Sequence, residues 1–206
     1  MSKIEVVLAT KNKGKVRDFA DIFNRMGLSG RIALLDLSKF PGFPDIPEDG
    51  KTFSENALIK ARAAAGFTGK LAIADDSGIV VEALDGAPGI YSARFAGPEA
   101  NDRSNNEKLL ESMKDVPEAE RAATFRAAVA IVSPSGMEAV VTGECHGYIA
   151  ATSLGTNGFG YDPLFFYPPL GKTYGQMADE EKNRVSHRRR AIEACASELA
   201  NFINDA

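Results

Sequence analysis

Short apolar runs, each followed by a polar segment that contains glycine, constrain this fold most strongly. Residues 4–9 form a short β-branched run ahead of the segment 10–15, and residues 71–74 form another ahead of 75–78. Continuous apolar runs of this length indicate strands that are buried on both faces of a sheet. We therefore predict a covered sheet, with its strand broken at 75–78 and with polar loops next to the strand ends.

Helical spacing of apolar residues appears between and after these runs. Val16, Phe19 and Phe23 predict a helix after the first loop, and residues 105–113 predict another. Thr52 and Glu55 have the spacing of a capping box, which opens a helix expected to stop at Gly66. A C-terminal helix with Ser186 as its N-cap carries one apolar stripe, formed by Ile192, Cys195, Leu199, Phe202 and Ile203.

The remaining extended segments complete an α/β pattern. Residues 32–37, 79–84 and 164–167 are predicted strands, and the turn at 134–136 joins two longer ones at 125–131 and 137–149. This hairpin argues against a purely parallel sheet. We predict one α/β domain, residues 1–206, with a mixed sheet and helices packed on its faces.

Composition excludes several functional classes. The 206 residues carry 24 basic and 28 acidic side chains, a net charge of −4, without the broad positive field of a duplex-binding protein. No apolar run is long enough for a signal peptide or a membrane span, so we expect a cytoplasmic protein that binds neither nucleic acid nor membrane. Its two cysteines, Cys145 and Cys195, are expected to be buried thiols.

The segment from Thr10 to Lys15 has the features of a phosphate-binding loop. Three lysines surround one glycine immediately before a helix, which combines backbone N–H donors, a positive helix end and ammonium groups. It is not a Walker A loop, because Ala9 stands where that motif requires glycine. A solvated lysine-rich turn explains this segment equally well.

Asp75 and Asp76 are adjacent carboxylates beside an apolar strand, and their mutual repulsion calls for a positive partner such as a divalent cation. Alternation along an extended chain requires only one of them to face a ligand. An Asx-type turn is the alternative. Glu48, in a proline-rich loop, completes an oxygen shell around Mg²⁺ only if that loop folds over the aspartates.

Two later segments favour recognition of a flat, electron-rich group. Phe159 lies between glycines and could stack on a base, while Asp162 could accept hydrogen bonds from ring N–H groups. Lys182, His187 and Arg188 surround the start of the last helix, where donors attract an anion or a carbonyl. The alternatives are a Phe159 side chain in the core and a solvated arginine face.

Five segments together resemble the inosine/xanthosine triphosphate pyrophosphatase family, the dITP/XTP pyrophosphatases. They occur in the same order along nearly the whole chain: LATKNKGKV, GKTFSENALIKA, IADDSGIVVEALDGAPGIYSARFAG, GTNGFGYDPLFF and EEKNRVSHRRRA. The resemblance implies hydrolysis of ITP, dITP and XTP to the monophosphate and pyrophosphate with Mg²⁺. It also implies an elongated α/β fold with a long central sheet, an active-site cleft between two lobes, and a homodimer.

The resemblance also implies residue roles. Asp76 would act on the attacking water and ligate Mg²⁺ with Glu48, Asp75 would be auxiliary, and Ser77 would contact substrate. The residues implied to hold the phosphates are Thr10, Lys11, Asn12, Lys13, Gly14 and Lys15. The residues implied to form the nucleobase pocket are Phe159, Gly160, Tyr161, Asp162, Lys182, His187 and Arg188.

Three other functions compete with this interpretation. A related enzyme would act on other modified or pyrimidine triphosphates, and a nucleotide sensor would bind without cleaving. The aspartate pair argues against the sensor, because carboxylates near phosphate are unfavourable unless a metal intervenes. The negative net charge and the absence of tryptophan disfavour a single-stranded nucleic-acid binder.

Overall fold

The computed structural model describes residues 3–204, and within them seven strands form a mixed sheet, as predicted. The strands are β1 (Ile4–Leu8), β2 (Ile32–Asp36), β3 (Leu71–Val81), β4 (Ala122–Val132), β5 (Glu138–Ile149), β6 (Phe165–Tyr167) and β7 (Lys172–Thr173). Their order is β2-β1-β3-β4-β5-β6-β7. Strand β1 is parallel to β2 and β3, whereas β6 is antiparallel to β5 and β7.

Helices separate the first four strands and follow the last one, which confirms the α/β class. They are α1 (Lys13–Arg25), α2 (Phe53–Thr68), α3 (Asp102–Ser112), α4 (Asp179–Val185) and α5 (His187–Asn204). None of the helices in the described part of the chain is both long enough and apolar enough to cross a bilayer.

The chain groups into two compact units. The first comprises the described residues up to Asp76, residues 127–143 and those from Arg188 onward; the second comprises residues 77–126 and 144–187. Strands β3, β4 and β5 therefore each contribute residues to both units. The arrangement of two lobes around a cleft remains a prediction.

In the first unit, alternation along β3 assigns its side chains to two different apolar clusters. Leu71 and Ile73 pack in the cluster that contains α1 and α5 residues, whereas Ala72 and Ala74 pack with the buried alanines of α2. Because strand side chains alternate with a period of two, Asp75 lies on the same side of the sheet as Leu71 and Ile73, and Asp76 lies on the side of Ala72 and Ala74. The predicted apolar stripe of α5 lies in the first cluster, as expected.

The second unit has its own aromatic core. Phe125 stacks on Tyr174 with ring centroids 5.7 Å apart, and Phe165 contacts both rings. Leu109 of α3 and Met113, which directly follows that helix, are fully buried in the same cluster. Cys145 also lies there, and Cys195 lies in the first unit, so both cysteines are buried free thiols, as predicted.

The predicted break in β3 is wrong. The strand continues through residues 75–78 to Val81, and both aspartates are buried within it. The Asx-turn alternative is therefore excluded. Lysine and arginine side chains from three helices compensate the carboxylates, and their proximity was not visible in the local sequence.

Three helix predictions also need correction. Helix α1 begins at Lys13, inside the predicted loop, because the Asn12 side chain caps it. Helix α2 continues past Gly66 to Thr68 and ends at Gly69, which has a left-handed backbone. Helix α4 was not predicted, since its sequence DEEKNRV has too few apolar residues to show helical spacing.

Candidate active site

The two central aspartates have different partners. Asp75 Oδ2 lies 2.9 Å from the ammonium of Lys15 in α1 and 3.8 Å from Arg188 Nε in α5. Arg188 also donates to Asp18 Oδ2 at 2.9 Å. Asp75 is thus enclosed between two cationic side chains on one side of the sheet and is inaccessible to solvent.

These cations determine the charge state of Asp75. Burial alone would raise the pKa of this carboxyl, but Lys15, Arg188 and Lys60 together outweigh burial and lower it. Asp75 therefore remains an anion at neutral pH and forms the centre of a buried ionic network.

Asp76 is held from α2, on the other side of the sheet. Asn56 Nδ2 donates to Asp76 Oδ2 at 3.1 Å, and Lys60 Nζ donates to Asp76 Oδ1 at 3.2 Å. Lys60 Nζ also donates to Glu48 Oε1 at 2.7 Å. Glu48 and Asp76 therefore approach one positively charged atom, which confirms that the proline-rich loop folds toward the second aspartate.

The protonation equilibrium of Asp76 is shifted in the opposite direction. Burial raises the pKa of Asp76, and the negative charge of Glu48 adds to that effect against the opposing influence of Lys60. Burial tends to lower the pKa of Lys60, yet Asp76, Asp75 and Glu48 together raise it. A carboxylate with a raised pKa is a better proton acceptor than an ordinary aspartate.

The residues predicted to hold phosphate lie at the start of α1. The Asn12 side chain accepts from the backbone N–H groups of Gly14 and Lys15, at 2.8 and 3.2 Å. Thr10 Oγ1 in turn accepts from the Asn12 N–H. Because Asn12 occupies two of the amide donors, the lysine ammonium groups become the main donors for an anion at this helix end.

Two open cavities flank this segment. One of about 210 Å³ is lined by Thr10, Lys11, Lys15, Glu48 and Lys60, among others, and so joins the predicted phosphate-holding residues to the predicted metal ligand. The other, about 390 Å³, is lined by Thr10, Lys11 and Lys13 together with β2-end residues. Lys11 Nζ also lies 2.6 Å from Asp45 Oδ1, and both of these side chains are exposed.

In the second unit, the glycine-flanked aromatic is exposed. The Phe159 side chain retains 41% of its accessible surface, which excludes the core alternative. Its backbone N–H donates to Asp162 Oδ2 at 2.8 Å. A Cβ on Gly158 would lie 2.0 Å from that oxygen, and its φ is +78°, so only glycine fits there.

Lys182 joins the aromatic and acidic residues of this segment. Its ammonium lies 2.5 Å from Asp162 Oδ2 and 4.6 Å from the centre of the Phe159 ring. Both Lys182 and Asp162 are buried, whereas Phe159 is exposed. The Lys182 ammonium lies over the Phe159 ring, and the exposed surface of that ring is the part that a flat ligand would contact.

Tyr161 and His187 occupy the interior of the second unit. Tyr161 is buried and donates its hydroxyl to the Ser92 carbonyl at 2.7 Å, and His187 stacks on Phe125 with centroids 4.7 Å apart. The structure thus gives these side chains packing roles. Ser77 is partly buried in β3 and follows Asp76 directly. Substrate contacts for all three residues remain predictions.

The structure places Arg188 in the first unit, where it pairs with Asp18 and Asp75. Its implied role in reading the base remains a prediction.

Sequence reasoning missed Asn56 and Lys60, which both contact Asp76. They lie four residues apart on α2 and therefore on one helical face, within the quoted segment GKTFSENALIKA. A polar pair in an otherwise alanine-rich buried helix was the available signal.

Glu48 and Asp76 suit a magnesium ion. Their oxygens already approach a common cation, and Mg²⁺ prefers one or two carboxylates, with substrate phosphates and water completing its shell. Within residues 3–204, no three His, Cys, Asp or Glu side chains gather as a ready-made metal site. The remaining ligands would have to come from substrate and water.

Comparison with known proteins decides the family. A sequence model described as the Ham1 family matches residues 6–198. The chain belongs to the Ham1 family. It is 52% identical to a dITP/XTP pyrophosphatase of Geobacter sulfurreducens over 187 residues, which are 91% of this chain and 92% of that protein. It is 46% identical to the protein of the same name from Desulforamulus reducens, over 96% of each chain.

Solved structures of Ham1 proteins share the fold. The Staphylococcus aureus Ham1 protein superposes with a TM-score of 0.85 at 41% identity, covering 96% of this chain and 99% of that one. A Ham1 protein from Coxiella burnetii gives a TM-score of 0.87 at 37% identity, with the same coverage. The predicted family and sheet architecture are therefore confirmed.

Proposed function

We propose that this chain is a hydrolase that converts deaminated purine triphosphates, such as ITP, dITP and XTP, into monophosphate and pyrophosphate, and thereby cleans the nucleotide pool. One structural observation carries the proposal. Glu48 and Asp76 both approach the ammonium group of Lys60, beside a cavity lined by Thr10, Lys11 and Lys15. Names of the Ham1 relatives support the same activity.

The triphosphate would lie along the start of α1. Lys11 and Lys13 are exposed there and offer mobile positive charge to the phosphate oxygens. Lys15 is partly committed to Asp75, so its ammonium is held in place before substrate arrives. Preorganised charge of this kind stabilises the transition state without rearrangement during the reaction.

Asp76 would orient and deprotonate the attacking water. Its raised pKa favours proton acceptance, while Asn56 and Lys60 fix the positions of its two oxygens. The water oxygen bonds to the α-phosphorus, the bond from that phosphorus to the bridging oxygen breaks, and pyrophosphate leaves. No covalent intermediate with the protein is required.

We further propose Mg²⁺ as the cofactor, held by Glu48 and Asp76. When bound, it supplies positive charge that offsets the charge developing on the phosphate oxygens. A homodimer, which the resemblance implies, and a cytoplasmic location remain predictions.

Base selection would depend on donors that face the purine 6-position. Lys182 and Arg188 pair with a 6-oxo group, whereas the 6-amino group of ATP leaves buried donors facing donors. Each such mismatch costs about 1–3 kcal/mol, so two contacts discriminate strongly. The Phe159 ring would stack on the purine, and the angle at which it holds the base would set how the 6-position meets these donors.

A substrate panel with product identification tests this function. ITP, dITP, XTP, GTP and ATP are each incubated with and without Mg²⁺, and products are separated by anion exchange. We expect metal-dependent pyrophosphate from the first three and little from ATP. Orthophosphate as the direct product would indicate a phosphatase, and binding without turnover would indicate a sensor.

A further inference from the structure

The first turn of α3 holds the segment that carries Phe159. Asp102 Oδ2 accepts from the Gly160 N–H at 2.7 Å, and Asn106 Nδ2 donates to the Gly160 carbonyl at 2.8 Å. Two side chains spaced one helical turn apart thus bind both the N–H and the carbonyl of Gly160, the residue directly after Phe159.

Helix α3 is itself fixed independently of these two contacts. Asn101 and Ser104 form a reciprocal capping box at its start. Asn105 binds the backbone of Ala93 and Ala96 through both ends of its amide, and Leu109 is fully buried. The helix is therefore a firm support, and Asp102 and Asn106 are available to hold something else.

Phe159 is consequently restrained on both sides. Its own N–H is bound by Asp162, and the next residue, Gly160, is bound by α3. Gly160 has a φ of +60°, and because glycine adopts positive and negative φ about equally well, contacts with other residues must hold it in this conformation. Without the two α3 contacts, the backbone that carries the ring would lose this restraint.

We propose that Asp102 and Asn106 are positioning residues that determine nucleobase selectivity by fixing the backbone that presents Phe159. The inference rests on the proposed function, since it assumes that Phe159 stacks on the base. A ring held at a defined angle places the 6-position of the purine consistently against its donors, whereas a mobile ring permits compensating tilts.

Steady-state kinetics with ITP and ATP test the proposal. In Asp102→Ala/Asn106→Ala we expect kcat/KM for ITP to fall about tenfold, mainly through KM, while the value for ATP changes less than about twofold. Inhibition by pyrophosphate should be unchanged, because the phosphate end does not involve α3. Asp102→Asn keeps an acceptor oxygen and should restore most of the selectivity.

Arg103→Ala is the matched control, since Arg103 lies on the same helix turn and pairs with exposed Glu107. It should behave like the unmodified protein. An unchanged ratio of kcat/KM for ITP to kcat/KM for ATP in the double variant would overturn the proposal.

If the double variant does not fold, Gly160→Ala replaces it. The added Cβ meets nothing within 4 Å, so this substitution alters only the backbone conformation. The same loss of ratio is expected.

A second readout separates this proposal from the proposed function. The chain contains no tryptophan, so Phe159→Trp introduces a single indole whose emission can be excited selectively over that of the tyrosines. In the Phe159→Trp protein, Asp102→Ala together with Asn106→Ala should lower the fluorescence anisotropy of the tryptophan and increase its quenching by acrylamide. Arg103→Ala should change neither quantity. Unchanged fluorescence would refute the positioning role even in an active enzyme. An unmodified protein without ITP preference would refute the proposed function, whatever the fluorescence shows.

Discussion

Asp75 and Asp76 are neighbours with opposite electrostatic environments. Cations outweigh burial at Asp75 and lower its pKa, whereas burial and Glu48 raise the pKa of Asp76. The period of two along β3 produces this difference, because it sends the side chains to opposite sides of the sheet. Asp75 is therefore suited to a permanent structural charge and Asp76 to proton transfer.

Asp76→Asn should abolish most activity and preserve the fold. The amide is nearly isosteric but cannot accept a proton, so kcat should fall about 100-fold or more. Pyrophosphate release measures the loss, and circular dichroism and thermal unfolding check the fold. Retained turnover would remove Asp76 from the chemistry.

Asp75→Asn should instead destabilise the protein. It leaves Lys15 and Arg188 without their shared anion, and breaking a buried pair costs about 3–5 kcal/mol. Because the folded pKa of Asp75 is lowered, its stabilisation is complete above the ordinary value of 3.8 and is lost as pH falls through the folded pKa. Urea unfolding should therefore show a large deficit that is constant from about pH 7 to about pH 4 and narrows only below about pH 4. A deficit that grows in acid would contradict this assignment.

At the scale of elements, α2 connects the Glu48 loop to β3. Asn56 is fully buried, accepts from the Gly50 N–H at 2.9 Å and donates to Asp76. Asn56→Ala leaves both groups without that partner, so we expect a loss of about 1–3 kcal/mol in stability and a lower kcat. Arg62→Ala on the same helix removes an exposed pair with Glu138 and should cost at most about 1 kcal/mol. Equal effects of the two substitutions in urea unfolding and kinetics would argue against the connecting role of Asn56.

Strands and helices with strong apolar patterns could be predicted, and those defined by distant charges could not. The runs at β1 and β2 and the stripe on α5 depend on local burial patterns. The continuity of β3 depends on Lys15, Lys60 and Arg188, which come from three separate helices. Likewise, the lysines predicted a phosphate-binding role for residues 10–15, which stays a prediction, but they did not predict the Asn12 cap that starts α1 within this segment.

At the scale of the whole molecule, the proposed site residues are divided between two units with separate cores. The acidic residues and those proposed to bind phosphate belong to the first, and the Phe159 segment belongs to the second. The chain passes between the units at Asp76–Ser77 and again at His187–Arg188, which are implied site residues. Family resemblance implies site roles at these positions, whereas hydrophobic patterns alone do not predict them.

The reactivity of the two cysteines tests the packing of both cores, because each unit contains one of them. Cys145 and Cys195 have no accessible surface, and burial raises the pKa of Cys195 further from its ordinary value. Alkylation by iodoacetamide should therefore be about 100-fold slower or more in the native protein than in guanidinium chloride. Mass spectrometry would assign each modified cysteine. Rapid native labelling at either position would contradict the packing of that unit.

The most direct test of the central claim is hydrolysis of ITP in ¹⁸O-labelled water with Mg²⁺. Water oriented by Asp76 toward the α-phosphorus must place the heavy oxygen in inosine monophosphate and leave pyrophosphate unlabelled. Mass spectrometry of the two separated products gives the answer in one turnover. Label in pyrophosphate, or in orthophosphate released directly, would show attack at another phosphorus and contradict the account.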